Sequence, residues 1–177
     1  MSNYEEIPYP IYCFPDTALE NIAAIAMLFG CSVAGLDNAR VLELGCASGG
    51  NLIPMAARYS NASFVGVDRS TVQIDLACKE AQTLGLDNVK FITTSILDLK
   101  LDDQEFDFII VHGVYSWVDS ETQEEIHKIL GKNLSETGIA YCSYNTLPGW
   151  NNIKSVRDMM IFHSNSFSDP REKILES

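Results

Sequence analysis

The sequence predicts an α/β fold with a doubly wound, mainly parallel sheet, and three observations carry that expectation. Five short runs rich in β-branched and aromatic residues, VLELG, FVGV, VKFIT, FDFIIVHG and IAYCSY, recur from Arg40 onward. Segments with apolar residues at helical spacing separate them. The first run ends in a turn of small residues, Gly45 to Gly50, that opens directly into a helix, as in parallel sheets whose loops bind ligands.

Residues 1 to 36 read as an N-terminal arm and a helix. Pro8, Pro10 and Pro15 impose extended backbone on a segment rich in Tyr. Thr17 and Glu20 form a T-x-x-E capping box that opens a helix stopped near Gly30. That helix is apolar nearly all round from Ile22 to Phe29, so it must be covered. It packs on the sheet, or the aromatic arm before it folds over a ligand as a lid.

Residues 37 to 165 read as the ligand-binding core. The strand from Arg40 ends on Glu43 and breaks into the small-residue turn, and NLIPMAARY follows as a helix with Pro54 in its first turn. The second strand closes on Asp68. Ser70 and Gln73 then make a capping box for a helix that sets Ile74, Ala77, Cys78, Ala81 and Leu84 on one side and ends at Gly85. A later helix, opened by Ser120 with Gln123, sets Ile126, Ile129 and Leu130 inward and stops near Gly131. Residues 166 to 177 read as the start of a truncated C-terminal helix at Asp169-Pro170.

Composition narrows the partners. The 177 residues carry 24 acidic and 12 basic side chains, a net charge of −12 spread along the chain, which repels phosphate backbones, so no nucleic-acid partner is expected. The longest uncharged stretch, Asn21 to Leu36, is broken by Gly30, Ser32 and Gly35 and is too short for a membrane span. Glu5 and Glu6 replace the basic cluster of a secretory signal. The five cysteines, Cys13, Cys31, Cys46, Cys78 and Cys142, lack a C-x-x-C pair, and His112, His127 and His163 stand at no ligand spacing. A reducing, cytoplasmic setting and no metal follow.

The turn after the first strand is a cradle, because glycines let backbone approach a ligand and helix-start N–H groups favour polar oxygens. A nicotinamide site wants G-x-G-x-x-G, whereas here the pattern is E-x-G-x-x-x-G, with Ala47 where a middle glycine often sits. Asp68 stands nineteen residues after Gly49 at a strand end, where a carboxylate can accept from both hydroxyls of a ribose. Since Ser70 caps the next helix, Asp68 is left for a ligand.

The turn resembles motif I of the class I S-adenosylmethionine (SAM) methyltransferases. Taken together, ELGCASGGNLIPMA, FDFIIVHGVYSWV and YNTLPGW resemble the catalytic domain of bacterial methyltransferases with a separate methyltransferase regulatory domain, including rickettsial protein lysine methyltransferases. The arm around Phe14, Pro15 and Thr17 resembles that family's start. The resemblance implies a Rossmann-like class I fold, usually of seven strands, so the last two would lie beyond this chain.

It implies SAM as cofactor and S-adenosylhomocysteine (SAH) as product, held by Glu43, Gly45, Cys46, Ala47, Gly49, Asn51, Asp68, Arg69, Gln73, Ser95, Ile96 and His112. Ser95 replaces the acidic residue of the pattern over the adenine, and Ile96 lies against the ring. Tyr115, Trp117 and Asn145 are the candidates at the transfer end, where rings and carbonyl oxygens favour a sulfonium. On the residues alone, Ser95 serves equally as a polar strand end and Tyr115 and Trp117 as core aromatics. The methyl acceptor is a protein lysine or a small molecule, and a SAM-binding module without catalysis is the remaining alternative.

Overall fold

The structure is a computed structural model and describes residues 12–167, 169, 172 and 173. Five strands form one sheet, β1 (Arg40–Leu44), β2 (Ser63–Asp68), β3 (Val89–Thr93), β4 (Phe106–Val111) and β5 (Leu134–Cys142). All neighbours are parallel, in the order β3-β2-β1-β4-β5. Five helices connect or flank them, α1 (Leu19–Leu28), α2 (Leu52–Arg58), α3 (Thr71–Thr83), α4 (Ser120–Asn133) and α5 (Asn151–Ser164).

The strands are apolar on both sides because both faces are covered. Successive side chains of a strand alternate between faces. Val41, Phe64, Phe108 and Ile110 pack with Leu19 and Ile22 of α1, Leu52 and Met55 of α2 and Ile74 of α3. Leu42, Leu44, Val67, Ile109 and Val111 pack on the other face with Ile126 and Ile129 of α4. Leu42, Leu44, Phe108, Ile109 and Ile110 are wholly buried, and each such side chain contributes about 2 kcal/mol. One charged group joins three adjacent strands: Asp107, near the start of β4, accepts from the Arg40 backbone N–H and guanidinium and from the Ser135 hydroxyl.

Several sequence expectations are corrected. Thr17 does not cap a helix, because a 3-10 turn over Pro15–Thr17 precedes α1 and the Thr17 hydroxyl turns toward Phe14 O and Asn51 Oδ1. Helix α1 stops before Gly30 (φ +81) as expected, but only Leu19, Ile22, Ala23 and Ala26 are buried, and Met27, Leu28 and Phe29 face outward. In α3, Ile74, Ala77 and Ala81 are buried while Cys78 and Leu84 are exposed. Asp119, one residue earlier than expected, caps α4 by accepting the Thr122 amide.

Helix α4 also runs through Gly131 and passes directly into β5. Gly131 lacks the left-handed backbone that Gly85 adopts (φ +67), and only that conformation ends a helix at glycine. Helix α5 was not expected at all. The arm before residue 12 and most of the helix expected after Asp169 lie outside the described residues.

Candidate functional site

Strands β1 to β3 run outward in one direction and the chain then returns to place β4 on the other side of β1. In parallel sheets such a reversal opens a crevice at the carboxyl ends of the strands. Here the loops after β1, β2, β3 and β4 surround a cavity of about 440 Å³.

The loop after β1 is shaped by three left-handed residues, Gly45 (φ +77), Ala47 (φ +48) and Gly49 (φ +75). A Cβ on Gly45 would run into the Val114 side chain, so glycine lets the loop after β4 close against this turn. At Gly49 a Cβ would lie 2.7 Å from Phe91 Cζ and 3.1 Å from Ile53 Cδ1. Gly49 therefore seats the loop on β3, and does not itself line the cavity, whereas Gly45, Cys46, Ala47 and Asn51 do. The amides of Gly45 and Cys46 donate to Val67 O at 2.7 and 3.0 Å, which ties the turn to β2.

Asp68, at the end of β2, points at that turn. Its Oδ2 accepts the Ala47 amide at 3.0 Å and its Oδ1 accepts the Ser70 amide at 2.9 Å. Each carboxylate oxygen keeps a further acceptor site, and the residue borders the cavity next to Arg69. The Ser70 hydroxyl caps α3 through the Gln73 amide as expected. The other half of the box is missing: Gln73 does not reach back, and its Oε1 has no partner.

Glu43 is 4% exposed, with Oε1 accepting from Asn51 Nδ2 at 2.9 Å. Burial pushes its carboxyl up to about 7, the Asn51 bond opposes this and the Asp68 charge adds to it. Burial likewise pushes the Cys46 thiol well up. At the end of β4 the His112 ring is held down by burial, against the opposing pull of Asp16.

Among the described residues, three buried side-chain polar atoms lack a hydrogen-bond partner: Glu43 Oε2, Gln73 Oε1 and His112 Nδ1. All three residues line this cavity. Each buried unpaired group costs about 1–3 kcal/mol, so their convergence on one hollow marks a site built for a polar ligand.

Ser95 and Ile96, after β3, form a second wall. Ser95 Oγ accepts the Leu97 amide at 3.2 Å. The N-terminal segment forms a third, with Tyr12 and Phe14 on the cavity and the Phe14 ring 4.2 Å from the His112 ring. Trp117 lines the cavity; Tyr115 does not, and its hydroxyl lies 2.9 Å from His127 Nε2 on α4. Asn145 borders an adjoining hollow with Trp150 and Arg157, which shares Trp117, Val118 and Asp119 with the main cavity. The Arg157 guanidinium lies over the Trp117 ring at 5.5 Å.

The cap residues Asp119 and Thr122 also line the cavity, and the D-x-x-T spacing was available as a signal for them. The seat of Phe14 on Asn51 had no local signal. Among the described residues, no helix is long and apolar enough to cross a membrane, and no group of three His, Cys, Asp or Glu side chains is placed to hold a metal.

A family profile described as a methyltransferase domain matches residues 36–168. An uncharacterized protein of Rickettsia prowazekii is 49% identical over 98% of this chain and 32% of its own length. A second protein of that organism is 42% identical over 99% of this chain and 70% of its own length. The structure of PKMT2 from Rickettsia typhi in complex with AdoHcy superposes with a TM-score of 0.85 at 44% identity, over 92% of this chain and 31% of that one. The chain thus spans about a third of the first relative and of this structure.

Proposed function

The chain belongs to the methyltransferase-domain family, a SAM-dependent class I methyltransferase fold, and from that premise we propose that it binds SAM in the cavity described above and transfers the methyl group to an amine, a protein lysine being the favoured acceptor. The observation that carries the reading is that the three residues with a buried, unpartnered polar atom, Glu43 (Oε2), Gln73 (Oε1) and His112 (Nδ1), all line one hollow. The AdoHcy bound to the rickettsial relative supports it.

The donor set fits the group. Glu43, buried and with one oxygen unpaired, is suited to an amino group such as that of the methionine moiety. Asp68 is suited to the ribose hydroxyls, and Ser95 with Ile96 to the adenine. Arg69 and Gln73 complete the wall beyond Asp68, with His112 beside the methionine end. Bound SAM would supply a methyl group on a sulfonium leaving group for in-line attack by the acceptor.

The chain's own residues position and exclude water. Phe14, tilted against His112, closes one side, and Trp117 lies between the cavity and the hollow that holds Asn145. That hollow is the proposed approach for the acceptor, since the Trp117 ring there already faces the Arg157 cation. The relatives' greater length supports a further region, such as a regulatory domain, that helps hold a protein acceptor. A cytoplasmic location fits an enzyme that draws on SAM.

Titration calorimetry with SAH tests the cofactor site: binding by the wild type, weakened at least about tenfold by Asp68→Ala, is expected. Binding unchanged by Asp68→Ala would remove the assignment. Label transfer from tritiated SAM to protein and to small amines then separates the acceptor classes, and no transfer to either by a full-length relative would leave a SAM-binding module.

A further inference from the structure

Asn51 stands between two parts of the cavity wall that the sequence keeps far apart. Its Nδ2 donates to Glu43 Oε1 at 2.9 Å. Its Oδ1 faces the N-terminal segment, accepting the Phe14 backbone amide at 3.3 Å and lying 2.9 Å from the Thr17 hydroxyl. Asn51 and Thr17 are both buried, at 5% and 0% exposure.

The orientation of this carboxamide is fixed by its neighbours. The Phe14 N–H can only donate, so Oδ1 must face it, and Nδ2 is then committed to Glu43. Reversing the amide would set donor against donor at Phe14 and, with Glu43 ionised, acceptor against acceptor at its carboxylate. The Thr17 hydroxyl also lies 2.9 Å from Phe14 O. It has one proton for two acceptors, so it holds the segment and Asn51 in alternation.

We propose that Asn51 is a positioning residue that couples the seating of the Phe14–Thr17 segment on the cavity to the orientation of Glu43. Docking of the segment locks the carboxamide, the locked carboxamide holds Glu43 Oε1, and the carboxylate is thereby fixed beside the hollow that Phe14 walls. Closure of the wall and preparation of the carboxylate are then one event. The cofactor end of this inference rests on the SAM reading above, but the coupling itself belongs to the free protein.

Carbon-13 NMR of the Glu43 side-chain carboxyl in ligand-free protein tests the coupling directly. The titratable groups that act on Glu43 are Asp68 from β2 and Cys46 from the turn, and His112 from the end of β4 lines the same cavity. Thr17→Val leaves all of these in place and removes only the hydroxyl. The expected result is a Glu43 midpoint moved upward by about half a pH unit, since an Asn51 held by the Phe14 N–H alone is less firmly set against Glu43 and opposes protonation less.

Asn21→Ala is the control. Asn21 Nδ2 donates to Pro15 O, 2.7 Å away on the exposed side of the turn; its loss leaves both bonds from Phe14 and Thr17 to Asn51 in place, and the variant is expected to leave the midpoint alone. A Thr17→Val midpoint equal to wild type, or an equal shift in Asn21→Ala, overturns the coupling. SAH titration on the same variants separates the two levels: a wild type that binds no SAH sinks the cofactor reading, while the NMR midpoints still decide the coupling.

Discussion

Ala47 donates its backbone amide to Asp68 Oδ2 across 3.0 Å, from a left-handed conformation with φ +48. This bond turns two separate loops into one wall. The β1 turn borrows its shape from the carboxylate at the end of β2, and the carboxylate is aimed by the turn. A ligand that meets one meets the other.

Both oxygens of Asp68 receive N–H donors, from Ala47 and Ser70. An amide in that place must set its NH₂ against one of them. Asp68→Asn is expected to lose about 1–3 kcal/mol of stability in urea denaturation, along with SAH affinity by calorimetry. A variant as stable as wild type would show that the two bonds do not hold the loop.

Ala47 occupies backbone space that glycine takes without cost and β-branched residues resist. Ala47→Gly is expected to change stability by less than about 1 kcal/mol, and Ala47→Val to lower it by about 1–2 kcal/mol. Thermal unfolding of the pair checks this, and equal effects would mean that the positive φ carries no strain.

Much of this wall was legible in the sequence because its determinants are local. The strand-turn-helix around Gly45 and Gly49, the carboxylate at the end of β2 and the Ser70 cap each need only a few neighbouring residues, and the parallel sheet follows from the alternation of periods. What failed was decided at a distance. Thr17 and Glu20 satisfy a capping pattern, yet Thr17 turns to Asn51 and Glu20 to Tyr59 and Arg58. Gln73 fits the Ser70 box and instead faces a cavity. Local pattern cannot see a partner on another loop.

Trp117 and Tyr115 are two residues apart and face different surroundings. Trp117 lines both hollows, while the Tyr115 hydroxyl is engaged by His127. Trp117→Ala is expected to lower kcat/KM for the acceptor by about tenfold or more with SAH affinity nearly kept. Tyr115→Phe is expected to cost about 1 kcal/mol of stability and little transfer. Steady-state kinetics in a transferring full-length relative, at the matching residues, decides between them.

Glu43 gives a pH signature whose sign can be worked out. Its carboxyl rises from the ordinary 4.5 to about 7 in the folded chain. The folded state therefore holds a proton that the unfolded state has released between these two values. Its contribution is fully present below about 4.5 and is lost as pH rises through about 7. The loss amounts to about 3 kcal/mol, since one pH unit corresponds to about 1.4 kcal/mol. Glu43→Gln keeps an acceptor for Asn51 and does not titrate. Its stability relative to wild type is expected to be lowest near pH 4, to climb through the interval and to level off above neutrality, with about 3 kcal/mol between the two ends. The same variant is expected to bind SAH more weakly, because the unpaired acceptor oxygen of this cavity-lining residue is replaced by a donor NH₂. Urea denaturation across the pH range checks the first expectation and calorimetry the second. A flat difference with pH would show that Glu43 ionises at its ordinary value despite its burial, and calorimetry alone would then decide the proposed amino-group partner.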